Sequence, residues 1–179
     1  MKVDTSSPYW QNSVGKDFSS GGYVGVPRIV VSKGFSAGAI SFSYAKVNKS
    51  DIKTYGGALD LPVVRGGAAI PEVALRASYG RLTGVPDYDL KVYGLEGFIS
   101  KGFGPVTPYL AVGRMRSSAG ASVTQSLPLG SPVTVSLRDT SNINRYTAGV
   151  RVSMVVPRIA VEVTKAEVTS YAAKISLGF

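Results

Sequence analysis

The segment SYAAKISLGF, which begins at Ser170, alternates strictly between apolar and small or polar side chains. Tyr171, Ile175, Leu177 and Phe179 all fall on the same side of this alternation. Successive side chains of a β-strand point to opposite faces, so a period of two predicts a strand with one apolar face. A single such strand constrains little, but its repetition along a chain fixes the class of fold.

The same alternation recurs at regular spacing through most of the 179 residues. Turn-forming segments separate the strands, each of which has roughly the ten residues that a tilted transmembrane strand needs. We therefore predict an all-β, antiparallel up-and-down transmembrane barrel over residues 36–179. It has eight strands from Ser36 onward, or ten if residues 1–35 contribute; otherwise those residues form a loop with an extra strand, a plug or an arm. The predicted strands begin at Tyr23, Ser36, Thr54, Pro71, Leu90, Val106, Asn144, Arg158 and Ser170.

The amino-acid composition excludes several classes of function. The chain has 21 Gly and only 17% charged residues, which suits short strands and tight turns. It has no Cys and no His, so thiol chemistry and every Ser–His or Cys–His mechanism are excluded. The remaining acids lack metal-ligand spacing, and we predict no enzyme, no metal and no cofactor.

The polar faces of the predicted strands indicate which side points inward. They consist mostly of Gly, Ala, Ser and Thr with isolated charges, whereas a soluble exterior would carry many Lys, Glu and Asp. This pattern favours a barrel with its apolar face outward; the alternatives are a soluble β-barrel or sandwich, or a soluble carrier of apolar ligands. Six tyrosines lie on the apolar faces toward one end, as an aromatic girdle requires. They are Tyr44, Tyr55, Tyr79, Tyr93, Tyr146 and Tyr171.

The repeated hairpins, together with three segments, resemble a known family. SYAAKISLGF, PYLAVGRM from Pro108 and RYTAGVRVSMVV from Arg145 are similar to strands of small bacterial outer-membrane β-barrels of the OmpA-like and OmpX-like class. The resemblance implies a Gram-negative outer-membrane location and export under a signal peptide that is absent from this chain. It also implies recognition by the outer-membrane assembly machinery of a terminal signal comprising Tyr171, Ile175, Leu177 and Phe179. Known members include adhesins, structural barrels, small pores and a few enzymes.

Charged residues on the small-residue faces form the first candidate site. Four are basic and three are acidic, so they can form an ion-pair network that fills a narrow lumen. A polar conduit or solute site is the alternative use of the same groups. This predicted lumen network comprises Arg28, Asp60, Arg76, Glu96, Arg151, Glu162 and Lys174.

The second candidate site is a group of basic residues near the longer loops, where basic residues outnumber acidic ones. The net charge is +9, and an outer leaflet of phosphorylated lipopolysaccharide would attract such a rim. An ordinary solvated rim is the alternative, while dispersed charges without a recognition helix argue against nucleic acid. The long loop 116–143, rich in Ser, Thr, Val and Leu, is expected to extend its hairpin above the membrane and is the preferred place for a partner site. The predicted rim comprises Lys46, Lys53, Arg81, Arg114, Arg116 and Arg145.

The sequence thus predicts a monomeric, multi-pass outer-membrane β-barrel in contact with the lipid bilayer and lipopolysaccharide. Its expected role is structural or in surface interaction, with a lumen largely filled by charged side chains. The alternative is a narrow porin-like channel for ions or small solutes.

Overall fold

The computed structural model describes residues 26–47, 51–67, 69–125, 133–154 and 156–177. Nine β-strands account for most of these residues. Within the same ranges no helix is long and apolar enough to cross a membrane. The strands are β1 (Arg28–Phe35), β2 (Gly38–Lys46), β3 (Lys53–Val64), β4 (Glu72–Thr83), β5 (Tyr88–Ser100), β6 (Val106–Gln125), β7 (Val133–Ser153), β8 (Pro157–Lys165) and β9 (Thr169–Leu177).

All nine strands belong to one antiparallel sheet in sequence order, so each pairs with its neighbours along the chain. The sheet curls into a half-barrel, and β1 and β9 are its two edges in the described part of the chain. The predicted all-β antiparallel architecture is confirmed at this level. The expected counts of eight or ten strands are not, because nine strands are present in the described ranges.

The ninth strand comes from the amino-terminal segment. Of the strand predicted to start at Tyr23, the described residues form a strand at Arg28–Phe35. Pro27 precedes it and cannot donate a ladder hydrogen bond. Strand β1 pairs along its whole length with β2. The predicted boundary between residues 35 and 36 therefore falls in the β1–β2 turn. A plug or arm within residues 1–25 lies outside the described residues.

The β6–β7 hairpin is much longer than its neighbours. Its register runs unbroken from Val106 opposite Val152 to Gln125 opposite Val133, so most of the predicted loop 116–143 is strand. Pairing of β5 with β6 ends at Ala121, and β8 pairs with β7 only from Tyr146 onward. The outer part of the hairpin is thus a two-stranded ribbon that projects from the sheet at the longer-loop end.

The two faces of the sheet differ sharply in composition. The convex face carries the large apolar side chains, which are exposed: Tyr171 is 72% and Ile175 is 76% accessible. The concave face carries Gly, Ala, Ser, Thr and charged residues. Among the described residues the only buried apolar side chains are alanines, whereas the buried polar ones include Glu96 at 4%. This is the reverse of a soluble fold, in which large apolar residues form the core.

Candidate functional site

A ladder of alternating charges crosses the concave face. Asp60, Arg76 and Glu96 lie directly opposite one another on β3, β4 and β5. The Arg76 guanidinium binds both carboxylate oxygens of Asp60, with Nε–Oδ1 at 2.5 Å and Nη2–Oδ2 at 3.0 Å. It also lies 4.7 Å from the ring centroid of Phe98. Such bidentate pairs fix both side chains as well as neutralising them.

The ladder continues across a glycine. Glu96 lies opposite Gly113 on β6, and Gly113 lies opposite Arg145 on β7. Arg145 spans the missing side chain, with its Nε 3.5 Å from Glu96 Oε1. A Cβ on Gly113 would stand 2.5 Å from Cγ of Glu96, so only glycine leaves the space that this pair occupies. Arg145, which the sequence analysis grouped with the rim, therefore lies on the concave face.

Glu162 is the centre of a second cluster. Its Oε2 accepts hydrogen bonds from Lys174 Nζ and from Tyr109 Oη, each at 2.8 Å. Tyr109 also reaches across a glycine, because Gly149 lies between it and Glu162 in the register. Sequence reasoning placed Tyr109 on this face but gave it no role. The sequence feature that could have indicated a role for Tyr109 is its place in PYLAVG, opposite the glycine-containing strand β7.

The remaining predicted lumen residues lie on the same face without a carboxylate partner. Arg28 donates from Nη2 to Ser43 Oγ at 2.7 Å and interacts electrostatically with Glu162 and Arg145. Arg151 is half-buried near Tyr109. In the described ranges neither arginine has a carboxylate within 4.0 Å, so the concave face carries excess positive charge.

The six predicted tyrosines all project from the convex face. Tyr44 and Tyr55 are direct partners with ring centroids 5.4 Å apart, and Tyr79 and Tyr93 are direct partners at 5.1 Å. Tyr146 and Tyr171 are also exposed, at 53% and 72%. We call these six residues the tyrosine band.

Basic residues follow the tyrosine band on the same face. Lys46 lies opposite Lys53, one step beyond Tyr44 and Tyr55 toward the longer-loop end. Arg81 and Lys91 also lie opposite each other, one step beyond Tyr79 and Tyr93 toward the same end of the sheet. Arg116 lies opposite Tyr93, and Arg114 lies opposite Leu95. We call Lys46, Lys53, Arg81, Lys91, Arg114 and Arg116 the basic collar.

One carboxylate lies within the basic collar. Asp89 accepts from Arg81, with Nε–Oδ1 at 2.8 Å, and pairs with Lys91 at 3.3 Å. The Arg81 hydrogen bond is the main reason why the pKa of Asp89 is held below its ordinary value, and Lys91 contributes in the same direction. Asp89 neutralises part of this section of the collar, so Lys46 and Lys53 are the better anion-binding candidates.

Three of the four residues of the predicted assembly signal lie in β9. Tyr171, Ile175 and Leu177 project from the convex face, while Phe179 lies outside the described residues. Among the residues that the structure describes, strand β9 pairs only with β8.

The described residues contain no cluster of acids that could hold a metal ion. Compared with known proteins, the chain matches no family model, no curated protein and no solved structure.

Proposed function

We propose that this protein is an integral outer-membrane β-barrel with a structural or surface-interaction role. The observation that carries the proposal is the inverted distribution of side chains. Large apolar residues cover the convex face, while Glu96 and its partners are withdrawn into the concave face. Lipid is the solvent that suits such an exterior, and a closed barrel is the β-structure that satisfies every backbone group in lipid.

Closure of the half-barrel requires one more strand. Strands β1 and β9 run in the same direction, because eight antiparallel steps separate them. A tenth strand antiparallel to both would complete an even-numbered barrel, as in bacterial single-chain barrels. Residues 1–35 are the predicted source of such a strand, and of these residues 1–25 lie outside the described ranges.

The basic collar supports contact with lipopolysaccharide. Lys46 and Lys53 lie just beyond Tyr44 and Tyr55 on the convex face, at the level where lipid phosphates would meet the barrel. The β6–β7 ribbon extends further and offers a surface to partners outside the membrane. Binding to lipopolysaccharide-containing vesicles should weaken in a Lys46→Gln/Lys53→Gln variant, with Arg138→Gln on the ribbon as the control.

Membrane insertion is tested by refolding the purified chain in detergent and in lipid vesicles. A barrel should be extracted from vesicles only by detergent, and its unheated form should migrate differently on an SDS gel. Stable monomers in plain buffer would contradict the proposal and favour the soluble alternative.

A narrow channel is the second candidate function. The excess positive charge from Arg28 and Arg151 on the concave face favours it, since a lumen that served only as a plug would be better neutralised. Single-channel recording in a planar bilayer separates the two roles. Discrete conductance steps that change in Arg151→Gln support the channel; insertion with a silent baseline supports the filled barrel.

A further inference from the structure

A polar cavity opens at the end of the half-barrel opposite the basic collar. It has a volume of about 520 Å³ and lies between the β3–β4 turn, the β5–β6 turn and the start of β8. Its lining includes Arg151, Arg158 and the residues Ser100, Thr107 and Ser153. The site thus lies at the opposite end of the sheet from the predicted lipopolysaccharide contacts.

The two arginines are placed to act together. Arg151 lies opposite Ala160, and Ser153 lies opposite Arg158, so the arginines are diagonal neighbours on β7 and β8. Diagonal neighbours have Cα atoms about 7–8 Å apart, which allows two long side chains to meet at one point. In the described ranges no carboxylate lies within 4.0 Å of either guanidinium. Glu72 also lines the cavity, so the site holds two cations and one anion.

We propose that this cavity binds a small oxyanion, a phosphate or a carboxylate group, between Arg151 and Arg158. Guanidinium groups match the planar geometry of such anions and bind them through paired hydrogen bonds. The hydroxyls of Ser100, Thr107 and Ser153 supply further donors. The inference goes beyond the proposed function, because it assigns a ligand class to this end of the half-barrel and does not require that the lumen conducts.

The test uses inorganic phosphate as the probe and the full chain refolded in detergent. Calorimetric titration should show saturable binding to the wild type, and an Arg151→Gln/Arg158→Gln variant should bind roughly tenfold more weakly or not at all. Arg138→Gln, on β7 at the other end of the sheet and outside the basic collar, is the matched control and should bind like the wild type. No saturable binding to the wild type, or equal binding by the double variant, would overturn the proposal.

A second measurement keeps the test independent of the folding of the variants. Phenylglyoxal modifies accessible arginines, and the modified positions are mapped on the wild type by mass spectrometry. Phosphate should protect Arg151 and Arg158 but leave Arg138 equally reactive. Uniform protection of all three would indicate bulk screening and would contradict a site. Loss of detergent-dependent insertion with intact phosphate protection would refute the membrane proposal and leave this one standing.

Discussion

At the scale of single residues, glycine decides which charges can meet. Gly113 and Gly149 each lie between two polar side chains that are not on adjacent strands. Their missing side chains let Arg145 reach Glu96 and Tyr109 reach Glu162. The small residues of the concave face are therefore part of the polar network.

Gly113→Ala should disrupt the Glu96–Arg145 pair. Its Cβ would stand 2.5 Å from both Cγ of Glu96 and the carbonyl oxygen of Leu95, and the backbone oxygen cannot move away. We expect a loss of about 1–3 kcal/mol in the free energy of unfolding, measured by denaturant titration in detergent. Gly120→Ala is the control on the same strand, because a Cβ there meets nothing within 4 Å. Equal stability of the two variants would contradict this account.

The ionisation of Asp89 should make the stability of the longer-loop end depend on pH. The pKa of Asp89 is lowered in the folded state. Its pairing with Arg81 therefore stabilises the protein at pH values above the unfolded-state pKa of about 3.9. That contribution is lost as the pH falls through the folded pKa.

The measurement compares denaturation midpoints of the wild type and Asp89→Asn across pH. The difference should be present at pH 7 and absent near about pH 2. Asp51→Asn is the control, since Asp51 has no ion-pair partner in the described part of the chain. A difference that persists unchanged into acid would contradict the assignment.

How far the sequence predicts these contacts depends on the number of strands between the partners. Asp60 and Arg76 lie on adjacent strands, and their alternation already places them on one face. The Arg145–Glu96 pair joins β5 to β7, so it needs the register of two hairpins and the gap at Gly113. Neither is visible in a one-dimensional pattern.

At the scale of elements, the bounds of the strands with one apolar face were largely predictable, whereas the bounds of the ribbon were not. Residues 117–122, SSAGAS, are small on both faces, so the period-two signal disappears although the strand continues. Predicted strand β7 accordingly began at Asn144 rather than at Val133. The period-two signal is read one strand at a time, so a stretch that is small on both faces hides a strand that backbone pairing continues.

Shortening the ribbon should leave the sheet intact. We would replace residues 122–136 by Asn-Gly, a two-residue turn that closes the pair of Ala121 and Leu137. The removed strand segments pair only with each other in the described ranges, so the gel-mobility difference between heated and unheated protein should persist. Failure to refold would show that the ribbon contributes to the stability of the sheet.

At the scale of the whole molecule, a charge placed on the convex face tests whether that face is buried in lipid or exposed to water. Val161 is 56% exposed at the centre of β8. In a bilayer, Val161→Arg should cost about 2–4 kcal/mol, whereas an exposed position of a soluble protein would tolerate the change.

The control for Val161→Arg is Thr169→Arg on the neighbouring strand. Thr169 is exposed opposite Lys165 at the longer-loop end, where a charge should cost about 0–1 kcal/mol. Equilibrium folding into lipid vesicles measures both variants. Similar small effects at the two positions would argue against burial of the convex face in lipid.

The sequence-ordered sheet also has a consequence for how the chain folds. Each strand pairs with its neighbour along the chain, so β1–β9 can form hairpin by hairpin, with only short loops to close. The proposed tenth strand would have to meet β9, which lies nearly the whole chain length away. Folding should therefore divide into rapid local zippering and one slow, long-range step that joins the two ends of the sheet.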